Sequence, residues 1–197
     1  MSTTARRGRR PGSPDTRAAI LAVARAAFAA KGFAGTSVRG IATEAGVDAA
    51  LVHHYFKTKD DLFLAALELP VDPRELLLPA LAGGLDGVAE RMLRVFLSVW
   101  DDPELQVRLV GVVRGIVDAD GQRLLRDGFL PVVLGPVGAA LGIDRPELRM
   151  PLVASQVFGL IIMRYVVAVE PIASLSPDDV VAIYAPTLQR YLSEPLP

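Results

Sequence analysis

Thr36-Ser37-Val38-Arg39-Gly40-Ile41-Ala42-Thr43-Glu44-Ala45-Gly46-Val47-Asp48-Ala49-Ala50-Leu51-Val52-His53-His54-Tyr55-Phe56 decides the fold. The Thr36 hydroxyl is placed to cap a helix that buries Val38, Ile41, Ala42 and Ala45 at helical spacing. Gly46 follows the last periodic residue, where a left-handed backbone costs a residue without Cβ almost nothing, and Val47 plugs the corner. Asp48 then stands where a second N-cap belongs, and Leu51 or Val52 with Phe56 give the next helix an apolar side. Two short helices fixed about a glycine make a helix-turn-helix. An ordinary helical hairpin is the alternative, and the flanking residues weigh against it. His53, His54 and Tyr55 end the second helix with polar and aromatic tips, Lys57 and Lys59 follow at once, and Thr58 with Asp61 spells a carboxylate variant of the capping box. Lys59 is thereby placed at a helix N-terminus, which attracts phosphate.

Upstream, Asp15-Thr16 are expected to cap a helix running to about Ala30, with Ile20, Leu21, Val23, Ala24, Ala27 and Phe28 on its apolar side and Gly32 ending it. Downstream, a helix from Thr58 to about Leu69 closes the bundle, and Pro70 through Pro73 mark a boundary. On Phe28 through Phe33, Thr36 through Arg39, Ile41-Ala42, Ala45 through Val47, Tyr55-Phe56 and Lys59 through Leu62, the stretch from about Thr16 to Leu69 resembles the DNA-binding domain of the TetR (tetracycline repressor) family of bacterial transcription regulators.

Charge is divided to match. Residues 1–69 hold ten Lys or Arg against six Asp or Glu, and residues 70–197 hold eleven against sixteen, so the positive part carries the motif. A polyanionic partner is expected for it. Arg6, Arg7, Arg9 and Arg10 lie in a Gly-, Pro- and Ser-rich opening segment, expected to be a disordered basic arm over 1–14. Such an arm either solubilises the chain or reaches phosphates and the minor groove. Pro and Gly follow those arginines in place of an apolar core, so no secretory signal is read there and the expected location is cytoplasmic. With no cysteine, disulfides, thiolate zinc sites and cysteine nucleophiles are excluded.

Three domains are therefore expected: the arm over 1–14, the reader over 15–69, and a helical domain over 70–197. The fold class is all-α, with a three-helix helix-turn-helix unit and a C-terminal ligand-binding and dimerisation bundle, about nine to ten helices in all. Beyond the boundary the periodicity gives helices over about 73–81, 86–100, 103–118, 121–141, 146–168 and 177–193, separated by Gly, Pro and Asp turns. Pro131, Gly135 and Pro136 fall inside the fourth of these and predict a kink or break.

The helix over 146–168 is apolar over more than one stripe, which calls for two buried faces. Either it is central to its own domain, or one face meets a partner across an interface of Val153, Val157, Leu160, Ile161, Tyr184, Leu188 and Tyr191; resemblance to the family implies a homodimer through the last helices. The apolar run is too short to span a membrane and Arg164 interrupts it.

For the reader the resemblance implies DNA contacts at Thr36, Ser37, Arg39, Asp48, Ala49, Ala50, Leu51, His53, His54, Tyr55 and Lys59. Thr36 and Ser37 would hold phosphate, Arg39 would bond guanine O6 and N7, Ala49 and Ala50 would admit the backbone or touch thymine methyls, and Lys59 would meet a phosphate. The partners implied are a double-stranded, pseudo-palindromic operator, a second copy of the chain, and a small-molecule effector that releases a repressor from DNA. A constitutive dimeric DNA-binding protein without an effector is the alternative. Effector-pocket candidates are Met92, Phe96, Trp100, Arg114, Phe129, Phe158, Arg164 and Tyr165, chosen for bulk or for charge on an apolar face, although plain core accounts for most. Arg114 and Arg164 each need a partner, either Glu170, another acidic side chain, the dimer mate or an anionic effector, and the last requires an arginine to border a cavity.

No cofactor and no metal are expected. Adjacent His53 and His54 diverge by about 100° around a helix and cannot chelate one ion, and Asp118-Ala119-Asp120-Gly121 reads as a capped turn because Phe129 stands where a calcium loop needs its glutamate. No catalytic motif is present, so the chain is not read as an enzyme.

Overall fold

The computed structural model describes residues 14–197, and the arginines of the opening arm lie outside them. The fold is all-α, with no strand among the described residues. The chain divides between Glu68 and Leu69 into two compact units.

In the first unit, α1 spans Pro14–Gly35, α2 Val38–Glu44, α3 Ala49–Tyr55 and α4 Lys59–Ala66. α1 is helical from Pro14, the first described residue, through Asp15 and Thr16. Gly32 does not end α1 outright. Its φ of 70° and ψ of 172° break the helix there, and a last turn follows to Gly35. Ile20, Ala24 and Phe28 from α1, Ile41 and Ala42 from α2, Val52 from α3 and Leu62 and Phe63 from α4 are fully buried, and helices as short as α2 and α3 depend on this packing for their stability.

Every turn of this unit is closed by local hydrogen bonds. Ser37, not Thr36, is the N-cap of α2, its Oγ accepting from the Gly40 amide at 3.1 Å. Thr36 is 5% exposed and its hydroxyl donates backwards to the Gly32 and Ala27 carbonyls at 2.8 and 3.1 Å. A buried hydroxyl without an acceptor costs more than a capping bond returns, and the Gly32 and Ala27 carbonyls lie within its reach. At the other end of α2, the Val47 amide reaches the Ala42 carbonyl and the Gly46 amide the Thr43 carbonyl, with Gly46 at φ 68°. This is a Schellman closure, which only a residue tolerant of left-handed backbone makes cheaply. Asp48 caps α3 through the Ala50 amide at 2.7 Å, and Thr58 and Asp61 form the capping box of α4.

The second unit opens with α5, Pro73–Ala80, then α6, Val88–Trp100, and α7, Pro103–Arg114, followed by a 3-10 turn over Gly115–Val117. The helix expected over 121–141 is three pieces: α8, Ala119–Leu124, a π-helical stretch over Leu125–Leu134, and α9, Gly135–Leu141. Widening the turn moves the carbonyl four residues back away from the Pro131 ring, so the expected kink takes the form of a π segment. α10, Pro146–Ile161, likewise passes into a π turn over Ile162–Val166, and α11 spans Pro177–Ser193.

One core cluster gathers Val88, Met92, Leu93 and Leu97 of α6, Val137 of α9, Met150, Val153 and Leu160 of α10, and Val180, Val181, Leu188 and Leu192 of α11. Polar ties set the register of α11 on this core. Arg149, 3% exposed, donates to the Tyr191 and Glu194 carbonyls at 2.6 and 2.9 Å while pairing with Asp144 at 2.8 Å. Gln189 bridges to the start of α6, donating to the Leu85 carbonyl and accepting from the Ala89 amide. Arg94 of α6 pairs with Asp178 of α11 at 2.8 Å.

Two stability predictions follow from these bonds. Thr36→Val, which keeps the shape and removes the donor, lowers unfolding free energy by about 1–2 kcal/mol, whereas the cap substitution Ser37→Ala costs about 1 kcal/mol or less. Urea unfolding of both variants checks the order, and a larger loss for Ser37→Ala would contradict it. Arg149→Met strips donors from the end of α11 and lowers stability by about 1–3 kcal/mol; a thermal midpoint equal to that of the parent chain would contradict this.

Candidate nucleic-acid interface

The first unit presents the outer sides of α2 and α3 together with the start of α4. Ser37, Arg39, Asp48, Ala50, His53 and His54 are exposed, Ala49, Leu51, Tyr55 and Lys59 are half-buried, and Thr36 is buried. Exposed Gly40, Thr43 and Lys57 complete this surface. Arg39 projects from α2, and its carbonyl accepts from the Thr43 hydroxyl at 3.0 Å, a bond internal to the helix that leaves the guanidinium in solvent. His53 and His54 occupy the last turn of α3, where a helix C-terminus favours positive charge.

Two expected contacts do not offer their polar atoms outwards. The Thr36 hydroxyl is buried and donates to carbonyls of α1. The Tyr55 hydroxyl is buried with no hydrogen-bond partner among the described residues, its ring lying against His54 and Phe56 at 5.6 and 6.1 Å. The start of α2 therefore offers Ser37 and backbone amides, and the start of α4 carries Lys59. Lys59 lies over the Phe33 ring, its Nζ 4.3 Å from the centroid. Burial pushes the Lys59 ammonium below the usual lysine range, and Asp60 beside it opposes that shift. Phe33 was not among the expected contacts; the only signal for it in the sequence is its place directly after Gly32, where a broken helix turns the next side chain aside.

In the second unit the eight pocket candidates separate. Phe96, Trp100 and Tyr165 pack as an aromatic group with centroids 5.1 to 6.4 Å apart, and Phe158 packs on the same core cluster. Arg164, 9% exposed, donates to the Ile172 and Leu175 carbonyls at 2.8 and 2.9 Å and pairs with Asp101 at 3.5 Å. The Tyr165 hydroxyl holds that same carboxylate at 2.9 Å; burial first, then this bond, push the phenol above its ordinary range. Met92 is buried in the main core, Phe129 is half-buried in the π segment, and Arg114 is exposed in the last turn of α7. An open cleft of about 360 Å³ between α6 and α11 is lined by Glu90, Arg94, Asp178, Val181, Ala185 and Gln189 among others, and one of about 390 Å³ on α1 and the end of α4 by Arg17, Leu21, Arg25 and Glu68. None of the eight lines either. Asp101 and two carbonyls partner Arg164, and Arg114 is open to solvent, so neither arginine faces these two clefts.

Of the expected dimer residues, Val153, Leu160, Ile161 and Leu188 are buried within their own unit, while Val157, Tyr184 and Tyr191 are half-buried and pack against its core. Large apolar side chains exposed near the end of the chain are instead Leu148, Met163, Val167, Val169 and Ile183. On a helix apolar all round, periodicity does not tell the inward stripe from the outward one.

Residues 20–66 match the family model for bacterial regulatory proteins of the tetR family, and residues 86–192 match the model for the tetracyclin repressor-like C-terminal domain. The chain is 43% identical to a TetR-family regulator from Streptomyces coelicolor A3, over 94% of this chain and 98% of that one, with a TM-score of 0.49. A transcriptional regulator from Rhodococcus sp. Rha1 is 22% identical, with 92% and 99% of the chains covered and a TM-score of 0.43. NalD, the secondary repressor of the MexAB-OprM multidrug efflux pump in Pseudomonas aeruginosa, is 20% identical, with 92% and 98% covered and a TM-score of 0.42. A search of curated proteins finds no match. With more than half of its length matched by a family model and a relative of that identity along nearly all of it, the chain belongs to the TetR family of bacterial transcriptional regulators.

Proposed function

We propose that the chain is a repressor that binds a pseudo-palindromic operator as a homodimer and is released by a small molecule. The observation that carries the DNA-binding part is the local closure of α2, its turn and α3, which presents Arg39, His53 and His54 to solvent from one small rigid unit. Arg39 reads base edges, and the two imidazoles supply donors beside it. Ser37 and Lys59 hold phosphates at the starts of α2 and α4, and the small Ala49 and Ala50 let α3 approach closely. Phosphate contacts carry no sequence information, so the two kinds of residue separate experimentally. On a preferred duplex and a scrambled one, Arg39→Ala narrows the affinity ratio about tenfold, whereas Lys59→Ala lowers both affinities by the same factor. Equal losses for both variants on both duplexes would remove this division of labour.

Two-fold pairing is proposed through a stripe of α10 and the π turn after it, on which exposed Leu148, Ser155, Gly159 and Met163 and half-buried Leu152 recur at helical spacing, together with exposed Ile183 of α11. Small Ser155 and Gly159 at its middle allow backbones to approach. A combined Met163→Asp and Ile183→Asp variant, changed only at positions 44% and 57% exposed, keeps its fold and sediments as a monomer. A dimer surviving both charges would contradict this face. Effector release rests on family membership; a constitutive binder keeps its DNA affinity when candidate ligands are titrated in, and a released repressor loses it.

A further inference from the structure

We propose that Phe33 is the seat of Lys59: its ring holds the lysine ammonium in position for a backbone phosphate, so Phe33 sets DNA affinity without touching DNA. The proposal rests on the phosphate contact given to Lys59 above.

Four observations carry it. Gly32 leaves helical geometry at φ 70°, and the Phe33 side chain after it turns towards the α4 end of the unit. The Phe33 ring is fixed by its neighbours, lying nearly parallel to Phe28 at 5.8 Å and edge-on to Phe63 at 5.4 Å, and those two rings meet each other at 5.1 Å. Lys59 Nζ sits 4.3 Å from its centroid, inside the range in which a ring quadrupole attracts a cation. The other end of Lys59 is fixed too, as its backbone is the first residue of α4 behind the Thr58–Asp61 capping box. A lysine ordinarily gives up much rotamer freedom when it binds a phosphate. Held at both ends, Lys59 has already given it up. Burial of the ammonium works against its charge, and the electron-rich ring face offsets that loss without neutralising the charge as a carboxylate would. The seat thus holds the ammonium at a helix N-terminus with no carboxylate bonded to it among the described residues.

Phe33 is in this sense a positioning residue, and a double-mutant cycle separates that role from simple core packing. The probe is a mixed-sequence duplex of about 30 base pairs, long enough for both half-sites and read through phosphates alone. Using the full chain, Lys59→Ala is expected to weaken binding about fivefold to tenfold and to reduce the salt slope by about one. Phe33→Leu weakens it about threefold with the salt slope kept, and Phe33→Tyr, which retains the ring, stays within about twofold of the parent. Phe33→Leu added to Lys59→Ala causes no further loss. If Phe33→Leu costs the same factor in the Lys59→Ala background, the ring acts through the fold and the proposal is overturned. If Lys59→Ala leaves affinity and salt slope unchanged, the phosphate contact itself is wrong, a distinguishable failure. A measurement on the unaltered chain guards against a variant that does not fold: the Lys59 ε-methylene protons are expected upfield, shifted by the ring current, and ordinary shifts would overturn the seat.

Discussion

The bond on which the first unit depends is that from the buried Thr36 hydroxyl back to the Gly32 and Ala27 carbonyls of α1. The break at Gly32 sends Phe33 aside, and the hydroxyl ties the residue before α2 to the end of α1. Everything downstream in the unit is then placed by local closures: Ser37 on α2, the Gly46 corner, Asp48 on α3, and Thr58 with Asp61 on α4. A recognition element of seven residues is too short to be stable by itself. It holds its geometry because Val52 and Phe56 are sunk in the core and both ends are capped.

In the second unit the same principle works over longer distances. Arg149, Gln189 and the Arg94–Asp178 pair tie α11 to α10 and α6 at three points along its length. Along α10, Leu148 and the small Ser155 and Gly159 remain exposed, which is why that side is the one proposed for pairing. Arg164 is held by carbonyls and Asp101, so its charge is part of the architecture of the α10 end.

Where a structural decision is made by residues adjacent in the chain, the sequence shows it. Gly46 as the corner, Asp48 and Thr58 as caps, and the Pro103 and Pro177 helix starts behind Asp102 and Ser176 all stand where their chemistry demands. Thr36 and Ser37 are neighbours with interchangeable capping chemistry, and only the position of α1 decides which turns inward. The same limit applies to α10: its apolar residues cover the whole circumference, and contact with α6, α9 and α11, not periodicity, selects the buried stripe. Pro131 foretold a disturbance but not that the backbone would widen into a π stretch. Tyr55 and Arg164 were chosen for their polar tips, and burial of those tips is a tertiary outcome with no local signature.

On the proposed function, two copies of this small rigid unit read DNA together. Selection of bound duplexes from a randomised pool by the purified chain, followed by the stoichiometry of the complex, decides it. A two-fold symmetric site is predicted, with half-sites separated by about one helical turn, roughly 34 Å, or a multiple of it, and two chains bound per palindrome. Enrichment of an unpaired half-site held by a single chain, or no enrichment at all, would contradict it.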